Sequence, residues 1–281
     1  MTGARSHTAV STVLLAVFPV LSLLAMAQEK RESRYTVGPK AIISTTNNYG
    51  SITVKPSGNN NEVVVTTVSY SDAVTFENEQ HGNRIDLRAS SRHQESSLVD
   101  YTVVVPADAF VTLRSSDGKL DAQGLRGDIV LEGMTGTVVA TGISNAHLHV
   151  KVLSGQVSLT DIRDSHVDIH SVSGNVNIHN VSGLSLEVNS GSGRITYEGD
   201  PGTAGEYLLT THSGDLEVSI PASAPVTIKA RSLRGESDEG FPSTGSVPAT
   251  VQRSLLLKAG IAGPSRFVLR SFRGRIHIKR P

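Results

Sequence analysis

The sequence predicts an all-β fold, a parallel β-solenoid (β-helix-like) of short two-strand coils with a period of about 19–21 residues. Three observations predict it: a recurring glycine, apolar columns that stay aligned on that glycine, and small or polar turn residues between the columns. The glycines are Gly118, Gly136, Gly155, Gly174, Gly193, Gly214 and Gly235, at intervals of 18, 19, 19, 19, 21 and 21 residues, and Gly274 closes the series. Serine precedes several of them, as in Ser154-Gly155, Ser173-Gly174, Ser192-Gly193 and Ser213-Gly214. A period of this length is the signature of a repeat architecture.

Alignment on the glycine gives the repeat physical content. Seven residues before it stand Val111, Ile129, Leu148, Val167, Leu186, Tyr207 and Ile228; five before it stand Leu113, Leu131, Val150, Ile169, Val188, Leu209 and Ala230. Two residues after it stand Leu120, Val138, Val157, Val176, Ile195 and Leu216, and four after it Ala122, Ala140, Leu159, Ile178, Tyr197 and Val218. Polar residues fill most intervening positions. Alternation of this kind makes a strand with one buried face, because successive side chains point to opposite sides. Each coil therefore holds one strand before the glycine and one after it. The glycine forms the corner, where a residue without Cβ can take φ > 0, and a second turn closes the coil, as at Arg163 to Ser165 and Asn180 to Gly183. Equivalent strands at a constant interval stack in parallel, about 4.8 Å apart. A β-sandwich also has short alternating strands, but gives no reason for the columns to stay aligned.

In chain order, residues 1–27 read as a secretory signal peptide: Arg5, an apolar stretch from Ala9 to Leu24, and the small-x-small site Ala25-Met26-Ala27. Pro19 and the shortness of the apolar run argue against an uncleaved span, which needs roughly 20 residues. Residues 28–39 read as a linker and 40–98 as irregular N-terminal β coils. The Ser-Gly solenoid takes 99–281, with a loop at 236–263 rich in Gly, Pro and Ser and a capping coil at 264–281. Lys279, Arg280 and Pro281 suit a guard over an open strand edge.

Composition narrows function. There is no cysteine, hence no lipidated cysteine, disulfide or thiolate chemistry. Without residues 1–27 the chain carries 25 basic and 26 acidic residues, a formal charge of −1. That balance makes no electrostatic case for nucleic acid. Tryptophan is absent and aromatic residues make up only 4%, which weakens the case for an aromatic-lined sugar groove.

The segment from Val99 to Ile278 resembles the bacterial putative-adhesin domain of unknown function, a family of Gly-centred β repeats. The resemblance is carried by Tyr101 to Pro106, Val111 to Gly118, the S-G-x-[VIL]-x-[VIL] coils, the break at Glu236 to Pro242, and Ser271 to Ile278. The closing coil departs from it, with Phe272-Arg273 where the family usually has serine. The resemblance implies an exported β-solenoid, in some cases tied to surface adhesion or envelope stress, and brings no catalytic residue and no cofactor.

One outward cluster invites chemistry. His166, Asp168 and His170 alternate along one strand face, and stacking sets His147, His149 and Lys151 beside them. His149, His166, Asp168 and His170 are the candidate metal ligands, since imidazole and carboxylate suit Zn²⁺ or Cu²⁺; Lys151 would oppose a cation. A Ser-His-Asp triad using Ser165 or Ser171 needs convergent side chains and an oxyanion hole, which parallel side chains on an open face do not supply. Gly191-Ser192-Gly193 fits the repeat corner. A carbohydrate-active β-helix enzyme would want clustered carboxylates, whereas Asp117, Asp121 and Asp128 lie apart from Asp161, Asp164 and Asp168. The expectation is an exported, non-catalytic interaction scaffold, periplasmic or at the surface. Its partner would be an envelope protein or surface polysaccharide, or further copies of itself. The alternatives are a metal- or pH-responsive accessory protein and a carbohydrate-active enzyme.

Overall fold

The computed structural model describes residues 29–91, 98–234, 237–239, 254–257 and 265–280, and every regular element among them is a strand. The N-terminal part holds β1 (Glu29–Thr36), β2 (Ile42–Tyr49), β3 (Ile52–Pro56), β4 (Glu62–Ser69), β5 (Val74–His81), β6 (Arg84–Ser91) and β7 (Val99–Val105). The regular repeat follows with β8 (Phe110–Asp117), β9 (Leu120–Gln123), β10 (Asp128–Thr135), β11 (Val138–Thr141) and β12 (His147–Ser154). It continues through β13 (Val157–Ser173), β14 (Val176–Ser192), β15 (Ile195–Glu198), β16 (Glu206–Thr211) and β17 (Leu216–Ser219). The C-terminal part adds β18 (Val226–Ser232), β19 (Ser237–Glu239), β20 (Ser254–Leu257), β21 (Ser265–Ser271) and β22 (Ile276–Lys279).

Parallel pairing joins these strands into two runs. Strands that precede the corners follow the order β6, β2, β8, β10, β12, β13, β14, β16, β21, β18. Strands that follow the corners run β7, β3, β9, β11, β13, β14, β15, β17, β22, β19. The register is the one the glycine alignment demands: Leu131 pairs with Leu113 and Val150, and Ile169 with Val150 and Val188. All four apolar columns are buried in a single core. Each fully buried Val, Leu or Ile contributes about 1.5–3 kcal/mol, so the columns and the backbone ladder hold the fold without disulfides.

The corner glycines are required chiefly by close approach. A Cβ built on Gly118, Gly136, Gly155, Gly174, Gly193, Gly214 or Gly274 would collide with the carbonyl of the glycine stacked before it, starting from Gly50. Positive φ adds to the requirement at Gly50, Gly136, Gly155, Gly174 and Gly193. Gly50 thus belongs to the ladder, while Gly235 lies outside the described residues, as does the segment 1–27 read as a signal peptide.

Several boundaries differ from expectation. Residues 29–36, expected within a linker, form β1, an antiparallel edge strand on β4. Its alternating Glu, Lys and Arg leave no apolar face to read; backbone pairing makes the strand, and its charges guard the edge. The expected loop 236–263 contains β19, paired with β22, and β20, antiparallel on β18. β13 and β14 each pair along 17 residues, and the expected second turn lies within them as a register shift between Ile162 and His166 with positive φ at Asp161, Asp164 and Asn180. Antiparallel strands finish the stack: β5 on β6, and β4 on β7.

The expected cap, 264–281, is not the outermost coil. Its strands β21 and β22 insert between β16–β17 and β18–β19. Aromatic fit accounts for this: the buried Phe267 ring stacks on Tyr207 with centroids 4.4 Å apart, and Tyr197 packs edge-on against both. Ile228 and Ala230 would leave that space empty. The N-terminal side is arranged likewise, with β2 and β3 lying between β6–β7 and β8–β9. Arg280 does not cover an edge; its guanidinium donates to the carbonyls of Ala222 and Ala224, both at 2.9 Å.

Candidate functional site

The outward side chains of the strands before the corners form three columns. Asp128, His147, His166 and Ser185 make the first; Val130, His149, Asp168 and Glu187 the second; Glu132, Lys151, His170 and Asn189 the third. The sequence positions these side chains simply by alternation, since their neighbours point into the core.

The expected metal cluster divides in two. His147 Nδ1 lies 3.0 Å from Asp128 Oδ1, and the His147 ring stacks on His166 with centroids 5.0 Å apart, so His166 belongs to that group. Asp168 sits between the other two histidines, 3.4 Å from His149 Nδ1 and 3.2 Å from His170 Nε2. The Oδ1 atom is buried and the His170 approach is not aligned as a hydrogen bond. Among the described residues no three His, Asp or Glu side chains converge so as to hold a metal ion. These His–Asp contacts are half exposed and individually weak.

The residues considered for a triad do not converge either. Ser165 Oγ donates to the Arg163 carbonyl and accepts from the Ala146 amide, which closes a turn. Ser171 is buried on the opposite face of β13 from Asp168 and His170.

The third column borders a groove that runs parallel to the stack. Its other rim is the column two residues before the corners: Asn48, Ser116, Met134, Leu153, Val172 and Gly191. A hollow of about 560 Å³ lies between Lys151, His170, Asn189 and Thr210 on one side and Leu153 and Val172 on the other. A second, of about 300 Å³, lies among Thr46, Arg114 and Glu132 opposite Asn48, Ser116 and Met134, and both hollows touch Gly133. Met134, Leu153 and Val172 are 54, 49 and 58% exposed, an apolar rim left open to solvent. On the inward side of the same strands, the buried Asn47 Oδ1, Ser115 Oγ and Ser171 Oγ have no protein partner.

Beyond Thr210 the same column continues into Arg270 and then Arg231, register neighbours on β16, β21 and β18. At the adjoining corner Arg234 and Arg273 lie over the Phe272 ring at 5.1 and 5.8 Å, and the His212 ring stacks on it at 4.8 Å. Sequence order hides this cluster, because Arg231 and Arg270 become neighbours only through the inserted coil. Its trace was the Phe272-Arg273 departure. A second missed feature is the ladder six residues past the corners, where Gly124, Gly142, Asp161, Asn180 and Gly199 all take positive φ. Gly, Asp and Asn in one column are its sequence signal.

Fold and surface define an all-β, solenoid-like protein with an open polar face and an axial groove. The chain belongs to the Toastrack DUF4097 family, whose model matches residues 42–247. Among solved structures, a "putative adhesin" from Bacteroides fragilis shares 13% identity at a TM-score of 0.52, covering 89% of this chain and 97% of its own. That likeness supports the fold. A "putative adhesin" from Parabacteroides distasonis (12% identity, 90 and 98% covered) and a "putative cell adhesion protein" from Clostridium sporogenes (12%, 90 and 100%) align at TM-scores of 0.35 and 0.30. No curated protein matches the chain.

Proposed function

We propose that the protein is an exported, non-catalytic scaffold whose stacked two-strand coils present one long face to an envelope or surface partner, in the manner of an adhesin. The observation that carries this reading is the continuous outward face. Registered coils repeat the same polar columns and one open groove, and near-identical coils make an extended contact surface. The adhesin name of the Bacteroides fragilis structure and the signal-like segment at 1–27 support an extracytoplasmic place for it.

Two measurements test the reading. Cell fractionation with N-terminal sequencing should find the chain outside the cytoplasm, beginning at Gln28; an uncleaved cytoplasmic chain would remove export from the proposal. The labelled protein should then bind envelope preparations saturably and be displaced by unlabelled protein. Binding that never saturates would remove the scaffold.

A further inference from the structure

We propose that the groove from Lys151 to Thr210, with Arg270 and Arg231 next in the same column, is a track for an extended, carboxylate-bearing polysaccharide laid along the stack axis. The proposal rests on the scaffold reading and names its partner. Five strand steps separate Lys151 on β12 from Arg231 on β18, about 24 Å at 4.8 Å per step.

Charge along the third column is uneven in a way the fold does not need. Arg114 is matched by Glu132 at 2.7 Å. Lys151, Arg270 and Arg231 have no carboxylate partner among the described residues, and Arg270 and Arg231 face each other directly in register. Like charges directly opposite on a sheet destabilise it. The equivalent position one coil earlier is Thr210, so the repeat accommodates a neutral residue there. Four exposed arginines thus lie beyond the Thr210 end of the groove, Arg270 and Arg231 in its column and Arg234 and Arg273 at the adjoining corner. Arginine suits carboxylate recognition because its planar fork donates two parallel hydrogen bonds.

The groove selects the shape of the anion. One rim is apolar, at Leu153 and Val172, and the other carries donors and acceptors at Lys151, His170, Asn189 and Thr210. A sugar chain offers the matching pair of surfaces, C–H faces and hydroxyls, with carboxylates to reach the arginines. A membrane surface would meet a plane and not a recessed track, and a formal charge near zero over the whole chain argues against nucleic acid.

The test is titration of the full chain with polygalacturonate, its methyl ester, and phosphatidylglycerol vesicles. Polygalacturonate should bind, with affinity falling as salt rises, and the uncharged ester should bind at least about tenfold more weakly. An Arg231→Ser/Arg270→Thr double variant should lose about tenfold or more in affinity while its Tm stays level or rises, since repulsion is removed. Arg88→Ser, an exposed arginine on β6, should change neither. Equal binding of ester and acid, undiminished binding by the double variant, or binding to vesicles alone would overturn the track. So would envelope binding without any polygalacturonate binding, and that result would leave the scaffold reading intact.

Discussion

Gly274 packs against the backbone of Gly214 as the next rung of the corner ladder, although a whole coil, β18 and β19, separates the two in sequence. The ladder is a chain of backbone contacts with no room for a side chain, and it records the spatial order of the coils better than sequence order does.

Replacing a rung should therefore be far costlier than replacing an ordinary loop glycine. Gly174→Ala meets the Gly155 carbonyl and also sits at φ 122°. It should lose at least about 3 kcal/mol in urea unfolding, from steric displacement plus a disfavoured φ. Gly58→Ala meets nothing within 4 Å and has no positive φ, so it should stay within about 0.5 kcal/mol of the parent. Equal losses would show that the corners are not packed as described.

The inserted coil makes a second prediction. Phe267→Ala removes a ring fully buried between Tyr207 and Tyr197 and should cost about 3–5 kcal/mol. Phe267→Leu keeps much of the volume and should cost less, about 1.5 kcal/mol. If β21 were an outer cap, both changes would be milder, since one side of the ring would face solvent.

The columns were legible in the sequence from Val111 to Val218 because alternation and glycine spacing are local, and there one coil follows the next in space. Legibility failed where placement depends on shape. Nothing local to Phe267 says that it prefers Tyr207 to Ile228, so the arginines of β18 and β21 could not be joined in advance. β1 was illegible for another reason, since only Tyr35 of this charged edge strand packs against the core, too little to leave a pattern. Within the expected metal cluster, alternation correctly put His149, Asp168 and His170 on one face but could not fix ring rotation, and His166 turned toward His147.

That rotation bears on metal binding. Adding Zn²⁺, Cu²⁺ or Ca²⁺ should leave the Tm unchanged, because the histidines divide between two groups, around Asp128 and Asp168, and Lys151 lies beside His170 in the same column. A native-state ligand at about 100 times its Kd would add roughly 2.7 kcal/mol, readily seen as a shift of several degrees. A shift that His149→Asn or His170→Asn abolishes would establish a metal site after rearrangement of the face.

Acid stability should depend on Asp100. Burial raises its carboxyl pKa, but the hydrogen bonds it accepts outweigh burial and hold it below the ordinary value. The Ser51 amide donates at 2.8 Å, the Ser51 hydroxyl at 2.6 Å and the Tyr70 hydroxyl at 2.9 Å, so one carboxylate ties β7 to the corner before β3. A depressed folded-state pKa means that the ionised form stabilises the fold above the ordinary carboxyl value, about 3.9. That stabilisation is lost as pH falls through the lower folded-state value. Asp100→Asn should therefore cost about 2 kcal/mol at pH 6, as expected for hydrogen bonds to a charged group. Its deficit should shrink below pH 4, where the parent begins to protonate. Urea unfolding of both proteins at pH 6 and pH 3 checks this, and a deficit that stays constant between the two would mean that the charge of Asp100 contributes nothing.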